Sequence, residues 1–446
     1  MPPAITVRVI HPHAAGIDIG ATEHFVAVPP DRDPQPVRSF PAFTADLERL
    51  AGWLSACGIT AVAMESTGSF WIPLFDLLES RGFEVWLVDP RSLKQLPGRK
   101  SDVSDCQWIQ YLHSLGLLSP AFRPAHEVVL LRSFVRQRAR LVQDAARQIL
   151  HMQHALTLMN VKLQHVVSDI TGVTGLAIIR AILSGERDPA RLAALRDGRC
   201  RHDAATIAAA LRGNWRPDHL FQLGQAVSLF DTFQQHIADC DTALMTYLES
   251  FPSRGAAAPL PPDRPTRKRD RKSRPPGLRR ELFRICGVDL TAIDGLDDAS
   301  VLTLLSEVGT DMTRWPTPKH FAAWLALCPA HAISGGKILK RRTRPTASKA
   351  ATAFRVAAMG LHRSQSALGA FFRRKKAQLG TAEAITATAH KLARIFYAVL
   401  RSRTAYADLG ADYYDREHRE RAIAALTRRA RALGFTLSPP ELIGVP

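Results

Sequence analysis

Apolar positions along this chain recur at two different periods, and the period changes near residue 124. Gly16 to Asp18, His24 to Val28 and Val37 to Phe40 read as three short strands joined by Gly, Pro and Asp turns, expected to pair antiparallel. Thr44 suits a helix N-cap, and Leu47, Leu50, Ala51 and Leu54 then share one helical face. Ile59 to Glu65 is a fourth strand, Trp71 to Ser80 a helix stopped near Gly82, and Glu84 to Val88 a fifth strand. Strands alternating with helices predict a layered α/β domain over residues 1–124.

Residues 125–251 read as helix throughout. Leu131, Phe134, Leu141, Ala145, Ile149, Met152, Leu156 and Met159 recur at spacings of three, four or seven, a coiled-coil-like seam with Arg132, Arg136, Arg140 and Arg147 on its other faces. Such a helix either packs within its own chain or bridges to a second chain or a nucleic acid. The stretch 252–280 is rich in Pro, Arg and Lys. Between Arg264 and Arg280 it carries nine basic residues against one acid, Asp270, which predicts a flexible cationic linker. Helical periodicity returns over 281–436, with a helix, a turn at Gly295 and a second helix over Leu290 to Val308, whose backbone N–H groups could meet phosphates. A Gly-rich turn at Ala332 to Lys337 follows, then helices over 350–373 and 382–401 and a charged helix over 415–433.

Composition narrows the partners. With 59 Lys and Arg against 41 Asp and Glu, the chain carries a formal charge of +18, which favours a phosphate-rich polyanion over an anionic membrane surface. No apolar run is long enough to span a bilayer, and the first residues show neither the charged start nor the apolar block of a secretory signal. Six scattered cysteines without a Cys-x-x-Cys pair argue against a zinc site or a disulfide framework and fit a reducing cytoplasm. His11 with His13 and His151 with His154 lack cysteine or carboxylate partners nearby in sequence and are read as solvated or packed.

Four carboxylates carry the candidate chemistry. Asp18 ends one strand-like run, Glu65 ends another, and Asp102 and Asp105 stand three apart on one helix face. Singly, each has a plain structural explanation, a turn cap or a favourable charge at a helix start. In this order they suit a pair of hard divalent cations of the kind that clamps the attacking and leaving oxygens of a phosphoryl displacement. Ser334, between Ile333 and two glycines, is most simply a turn residue, yet it is also an unhindered hydroxyl beside Lys337, Lys340, Arg341 and Arg342. Those cations, with Arg344, Lys349 and the linker residues Arg267, Lys268 and Arg269, are the candidate nucleic-acid contacts.

On these residues the chain resembles the DEDD-type transposases of bacterial insertion sequences, the family numbered one-hundred-and-ten, relatives of the Piv DNA invertases. The resemblance rests on Gly-Ile-Asp-Ile-Gly-Ala-Thr-Glu-His at 16–24, Met-Glu-Ser-Thr-Gly at 64–68, Lys-Ser-Asp-Val-Ser-Asp at 100–105 and Ser-Asp-Ile-Thr-Gly-Val-Thr-Gly at 168–175. Toward the C-terminus it rests on Ile-Asp-Gly-Leu at 293–296, Ser-Glu-Val-Gly at 306–309, Ala-Trp-Leu-Ala-Leu-Cys-Pro at 323–329 and Ile-Ser-Gly-Gly-Lys at 333–337. The 252–280 stretch departs as an insertion, and Asp297 and Asp298 depart as two extra acids after Gly295.

The resemblance implies an RNase H-like (RuvC-like) nuclease domain over 1–124, a helical coiled-coil region over 125–251, a basic linker over 252–280 and an all-α transposase domain over 281–436. It implies that Asp18, Glu65, Asp102 and Asp105 bind Mg²⁺, expected as two ions, and that Ser334 is a nucleophile forming a covalent phosphoserine link to DNA. Implied partners are double-stranded DNA at element ends and target, a structured guide RNA from the element, and further copies of the chain as a dimer or tetramer. The implied setting is a bacterial cytoplasm, near the nucleoid. The alternative is a Holliday-junction-type endonuclease using the same four acids with water as nucleophile. An actin-like kinase is disfavoured because no second Gly-rich phosphate loop follows, and a purely structural nucleic-acid binder would have no use for the paired aspartates.

Overall fold

The computed structural model describes residues 8–66, 68–89, 102–255, 259–260 and 274–438. The chain parts into two compact units between Arg123 and Pro124. In the first, β1 (Ala14–Ile19), β2 (Glu23–Ala27), β3 (Val37–Pro41), β4 (Ala61–Glu65) and β5 (Glu84–Val88) form one sheet in the order β3-β2-β1-β4-β5. The first three strands pair antiparallel with one another, whereas β4 lies parallel to both β1 and β5. Both parallel steps are crossovers through helix, as parallel pairing requires.

The two sheet faces are covered differently. Helices α1 (Thr44–Ala56) and α2 (Trp71–Ser80) bury Leu50, Leu54, Leu74 and Leu78 against Ile17 and Met64. On the other face, α3 (Asp102–Ser114) buries Ile109 and Leu112 against Ala63 and Val88. This mixed sheet with helices on both faces is compatible with an RNase H-like fold. The strand and helix pattern is close to the one expected. Thr44 does not cap α1, however: it is the first helical residue, behind Phe43, which makes no side-chain cap.

In the second unit, α4 (His126–Leu158) and α9 (Pro217–Glu249) are the long elements, 33 residues each and so roughly 50 Å in length. They pack antiparallel. The Tyr247 hydroxyl donates to the Glu127 carbonyl, and Arg138 pairs with Asp241. Between them come four shorter helices, α5 (Leu163–Val166), α6 (Val173–Leu183), α7 (Pro189–Ala194) and α8 (Ala204–Ala210). Met152, Leu156, Ile178, Ile182, Ile207 and Leu223 make their shared core. The seam of α4 is therefore satisfied at least in part inside its own chain, the plainer of its two readings.

The C-terminal region is not all helix. Between α10 (Leu278–Cys286), α11 (Asp298–Val308) and α12 (Pro318–Trp324) on one side and α13 (Lys349–Gly360), α14 (Ala367–Leu379), α15 (Thr381–Ser402) and α16 (Gly410–Ala432) on the other lies an antiparallel hairpin. Its strands are β6 (Pro329–Ser334) and β7 (Lys337–Thr343). The helix expected over 350–373 is also broken, into α13 and α14 with a short 3-10 turn at Leu361–Arg363. Stacked and edge-on contacts among Phe321, Phe354 and Phe396 fill the core here, and the Tyr397 hydroxyl donates to the Trp315 carbonyl at 2.6 Å.

Ion pairs lock α11 to its neighbours. Glu307, in the Ser-Glu-Val-Gly stretch, is nearly buried and receives Arg136 of α4 through both oxygens at 2.9 and 3.0 Å. Arg132 donates to the Ser306 and Glu307 carbonyls. Asp297 caps α11 by accepting from the Ser300 N–H, and both Asp297 and Asp298 receive Arg274 from the end of the basic stretch. The extra acids after Gly295 are thus a cap and a tether. Carboxylates at that helix start leave it unsuited to phosphate.

Two substitutions test these packings. Glu307→Ala strands two arginines and is expected to cost about 2–3 kcal/mol, less than a fully buried pair because Arg136 is 44% exposed on its side chain. A urea unfolding midpoint measures it, and Glu307→Gln should lose less. At Gly16 an added Cβ would meet the Gln110 nitrogen at 2.2 Å and the Cys106 carbonyl oxygen at 2.3 Å, both backbone atoms of α3. Gly16→Ala is therefore expected to cost at least about 3 kcal/mol, the upper end for overpacking. Gly52→Ala, inside α1 with nothing within 4 Å, should instead stabilise by about 0.5–1 kcal/mol, read from the same urea unfolding midpoint.

Candidate active site

The acidic site grows out of the parallel pairing of β1 and β4. Ile17 lies opposite Met64, so the next step along the ladder brings Asp18 beside Glu65 where the strands end. Adjacent strands stand about 4.8 Å apart, which puts two carboxylates within reach of one cation. Alternation sends Ile17 and Met64 into the α1–α2 core, and so sends Asp18 and Glu65 toward the face that α3 covers.

Helix α3 brings the third carboxylate. The close approach at Gly16 sets its first turns against β1, with Gln110 donating to the Ala14 carbonyl at 3.3 Å. Asp105 is half-buried in the first turn, next to the fully buried Cys106. Burial pushes the Cys106 thiol up to about 11, and the negative charges of Asp18 and Asp105 push in the same direction. One thiol thus senses the charge of two of the candidate acids. Asp102 opens α3 one turn before Asp105, and its side chain lies outside the described residues.

Oxygen-only donors of this kind suit a hard divalent cation. Among the described residues, Asp18, Glu65 and Asp105 included, no three or more His, Cys, Asp or Glu groups come together as a metal cage; the Asp102 side chain lies outside those residues. Asp89 was not singled out in the sequence. It follows β5 directly and is exposed at the same sheet edge, and its only signal is its place one residue after a strand. His24, from the first motif, is buried on β2, and burial lowers its basicity, so it is neutral near pH 7. His11 stacks on His113 and meets Trp86 edge-on, whereas His13 is hydrogen-bonded to Arg32.

Ser334 occupies a different setting in the second unit. It closes β6 opposite Lys337, and Gly335 and Gly336 make the two-residue turn with φ of +54° and +76°. Two consecutive left-handed residues define the hairpin turn that matches strand twist, which explains why both positions are glycine. Ser334 and Lys337 are exposed at the tip. Lys340, Arg341 and Arg342 lie along β7 with their side chains outside the described residues, as Arg267, Lys268 and Arg269 are entirely. Arg344 donates to the Ala323 carbonyl at 2.7 Å, and Lys349 is exposed at the start of α13.

The stretch 168–175 also has a local role. Asp169 accepts from the Thr171 N–H and hydroxyl, and the Thr174 hydroxyl accepts from the Asp197 N–H. With His165, Arg199, Arg201 and His202 it lines a cavity of about 690 Å³ at the start of α6.

Comparison with known proteins follows the same two regions. A transposase family model for the DEDD group of IS110 matches residues 15–161, from β1 through the end of α4. A second, described as the transposase IS116/IS110/IS902 family, matches residues 289–373, which include the hairpin with Ser334. No curated protein sequence matches the chain. Among the described residues no helix is long and apolar enough to cross a membrane. The two matches fall in the order of a single family and together span just over half of the chain, which belongs to the IS110 family of DEDD transposases and is a DNA transposase or recombinase.

Proposed function

We propose that this transposase cuts and rejoins DNA strands through a covalent phosphoserine at Ser334, with Asp18, Glu65, Asp102 and Asp105 holding Mg²⁺ as a pair of ions. The observation that supports the reading is the register that sets Asp18 beside Glu65 at the ends of β1 and β4, with α3 bringing Asp105 to the same face. Like charges so close favour a bound cation between them. The bound metal would neutralise charge on the non-bridging oxygens of the scissile phosphate. The exposed hydroxyl at the hairpin tip, followed by two glycines and opposite Lys337, has room to meet a phosphodiester.

In the proposed reaction the Ser334 Oγ attacks phosphorus and its proton passes to the departing strand's oxygen. An O–P bond to serine forms, the bond to one strand's oxygen breaks, and that strand leaves with a hydroxyl. A hydroxyl of the new partner strand then attacks the phosphoserine and returns the proton-bearing Oγ. Ester number is conserved throughout, so strand exchange needs no ATP. Lys337, Lys340, Arg341, Arg342, Arg344 and Lys349 would hold the DNA backbone around Ser334, and Arg267, Lys268 and Arg269 would add contacts from the basic stretch. A structured RNA from the element is the proposed source of sequence choice, and a dimer or tetramer the proposed working form.

The test incubates the full chain with DNA carrying element ends and target, the element's RNA and Mg²⁺, then separates products under denaturing conditions. A DNA-linked protein band is expected. Ser334→Ala should abolish it, and Asp18→Asn or Glu65→Gln should lower its yield by about a hundredfold or more, the scale of lost charge stabilisation at a phosphoryl centre. Persistence of the band in Ser334→Ala rules out this nucleophile. Free DNA ends without any band would point instead to water and to a junction endonuclease.

A further inference from the structure

Among the described residues, a group of cations in the C-terminal helices is only partly matched by acids. Lys391, half-buried on α15, stands 4.5 Å from the Phe371 ring of α14 and 4.9 Å from the Tyr414 ring of α16. Arg374 lies 5.2 Å from the same Tyr414 ring and 5.8 Å from Phe371. Burial lowers the basicity of Lys391 first, and the positive charges of Arg374, Arg421 and Arg394 lower it further. Of the acids nearby, Asp408 is the one that opposes this shift, and its carboxylate already accepts from the Ala367 and Gly410 N–H groups. Arg421 is engaged by Glu417. Among the described residues no carboxylate forms an ion pair with Arg374, Lys391 or Arg394. The Arg374 Nε is buried without a hydrogen-bond partner.

Gathering like charges on three packed helices costs stability, and the two ring faces offset only part of it at about 0.5–2 kcal/mol per contact. The arrangement makes sense when an anion completes it. A single carboxylate would balance one charge. A phosphodiester chain offers successive anions at the spacing of neighbouring cationic side chains, and Tyr414 offers a partly exposed ring edge beside them.

We propose that Arg374, Lys391 and Arg394, backed by Phe371 and Tyr414, form a binding site for the phosphodiester backbone of a nucleic acid. The proposal rests on nucleic acid as this transposase's substrate or guide and is independent of Ser334. It adds residues beyond those around the hairpin, on helices that the sequence reading left without a role.

Binding of the full-length protein to an unrelated 30-base-pair DNA duplex and, separately, to an RNA hairpin is measured over a salt series in EDTA. Without divalent ions no cleavage enters the result, so the outcome is distinct from that of the Ser334 test. The double variant Arg374→Gln/Lys391→Met is expected to weaken binding at least about tenfold and to flatten the salt dependence by about two phosphate contacts. Its melting temperature should hold or rise, because mutual repulsion is relieved. Arg394→Gln, an exposed position that folding tolerates, should flatten the slope by about one. Loss toward only DNA or only RNA identifies which backbone occupies the site. Unchanged slopes for both nucleic acids in both variants, or a lowered melting temperature with unchanged binding, overturns the proposal.

Discussion

The closeness of two backbones decides what the first unit can do. At Gly16 the β1 chain and the α3 chain approach to a distance that leaves no room for a side chain. Because of that approach α3 lies flat on the sheet, and its first turn arrives beside the ends of β1 and β4. A bulkier residue would lift the helix, and Asp105 would then stand apart from Asp18 whatever the strand register. Carboxylates that must share one ion need placement on rigid elements, and a glycine at the crossing supplies it without adding a polar group of its own.

Much of this was legible in the sequence because the informative signals were local. Alternating runs ending in Asp18 and Glu65, and an Asp-x-x-Asp helix start, need only the strand and helix periods to be read. Trp71–Ser80 and Glu84–Val88 have the bounds their patterns imply. What was not legible depends on distance along the chain. The run after Cys328 carries too many basic residues to read as a strand, yet β7 forms because Gly335 and Gly336 turn the chain back on β6. The function of Glu307 in joining α11 to α4 lies 171 residues from its partner Arg136, beyond any periodicity. Asp297 and Asp298 stand out in the sequence as extra acids that disfavour phosphate, and their roles as a helix cap and as partners of Arg274 come only with the fold.

The net charge of +18 is also unevenly spent. In the long-helix region arginines are matched within the chain, Arg138 to Asp241 and Arg180 to Asp231, and Arg279 meets a buried Asp289 near the next helix. Such pairs fix geometry and contribute little to attraction for a polyanion. Among the described residues, ion pairs are sparse among α14 and α15, where Arg374, Lys391 and Arg394 form none. A count of basic residues therefore overstates the surface available to nucleic acid in one place and understates it in another.

The position of Ser334 bears on the reversible ester proposed for it. A serine within a helix or mid-sheet would be hemmed in by its neighbours, but Ser334 ends its strand at a two-glycine turn and is exposed. The turn is short and its left-handed conformation is one that glycine adopts without strain, so exposure does not come with a long loop to order. A nucleophile that must first accept one strand end and later release it to another benefits from being reachable from several directions, while water-activating sites are more often enclosed. A hydroxyl that stiff and that open, on a strand lined with basic residues, is suited to receiving and handing on a phosphate.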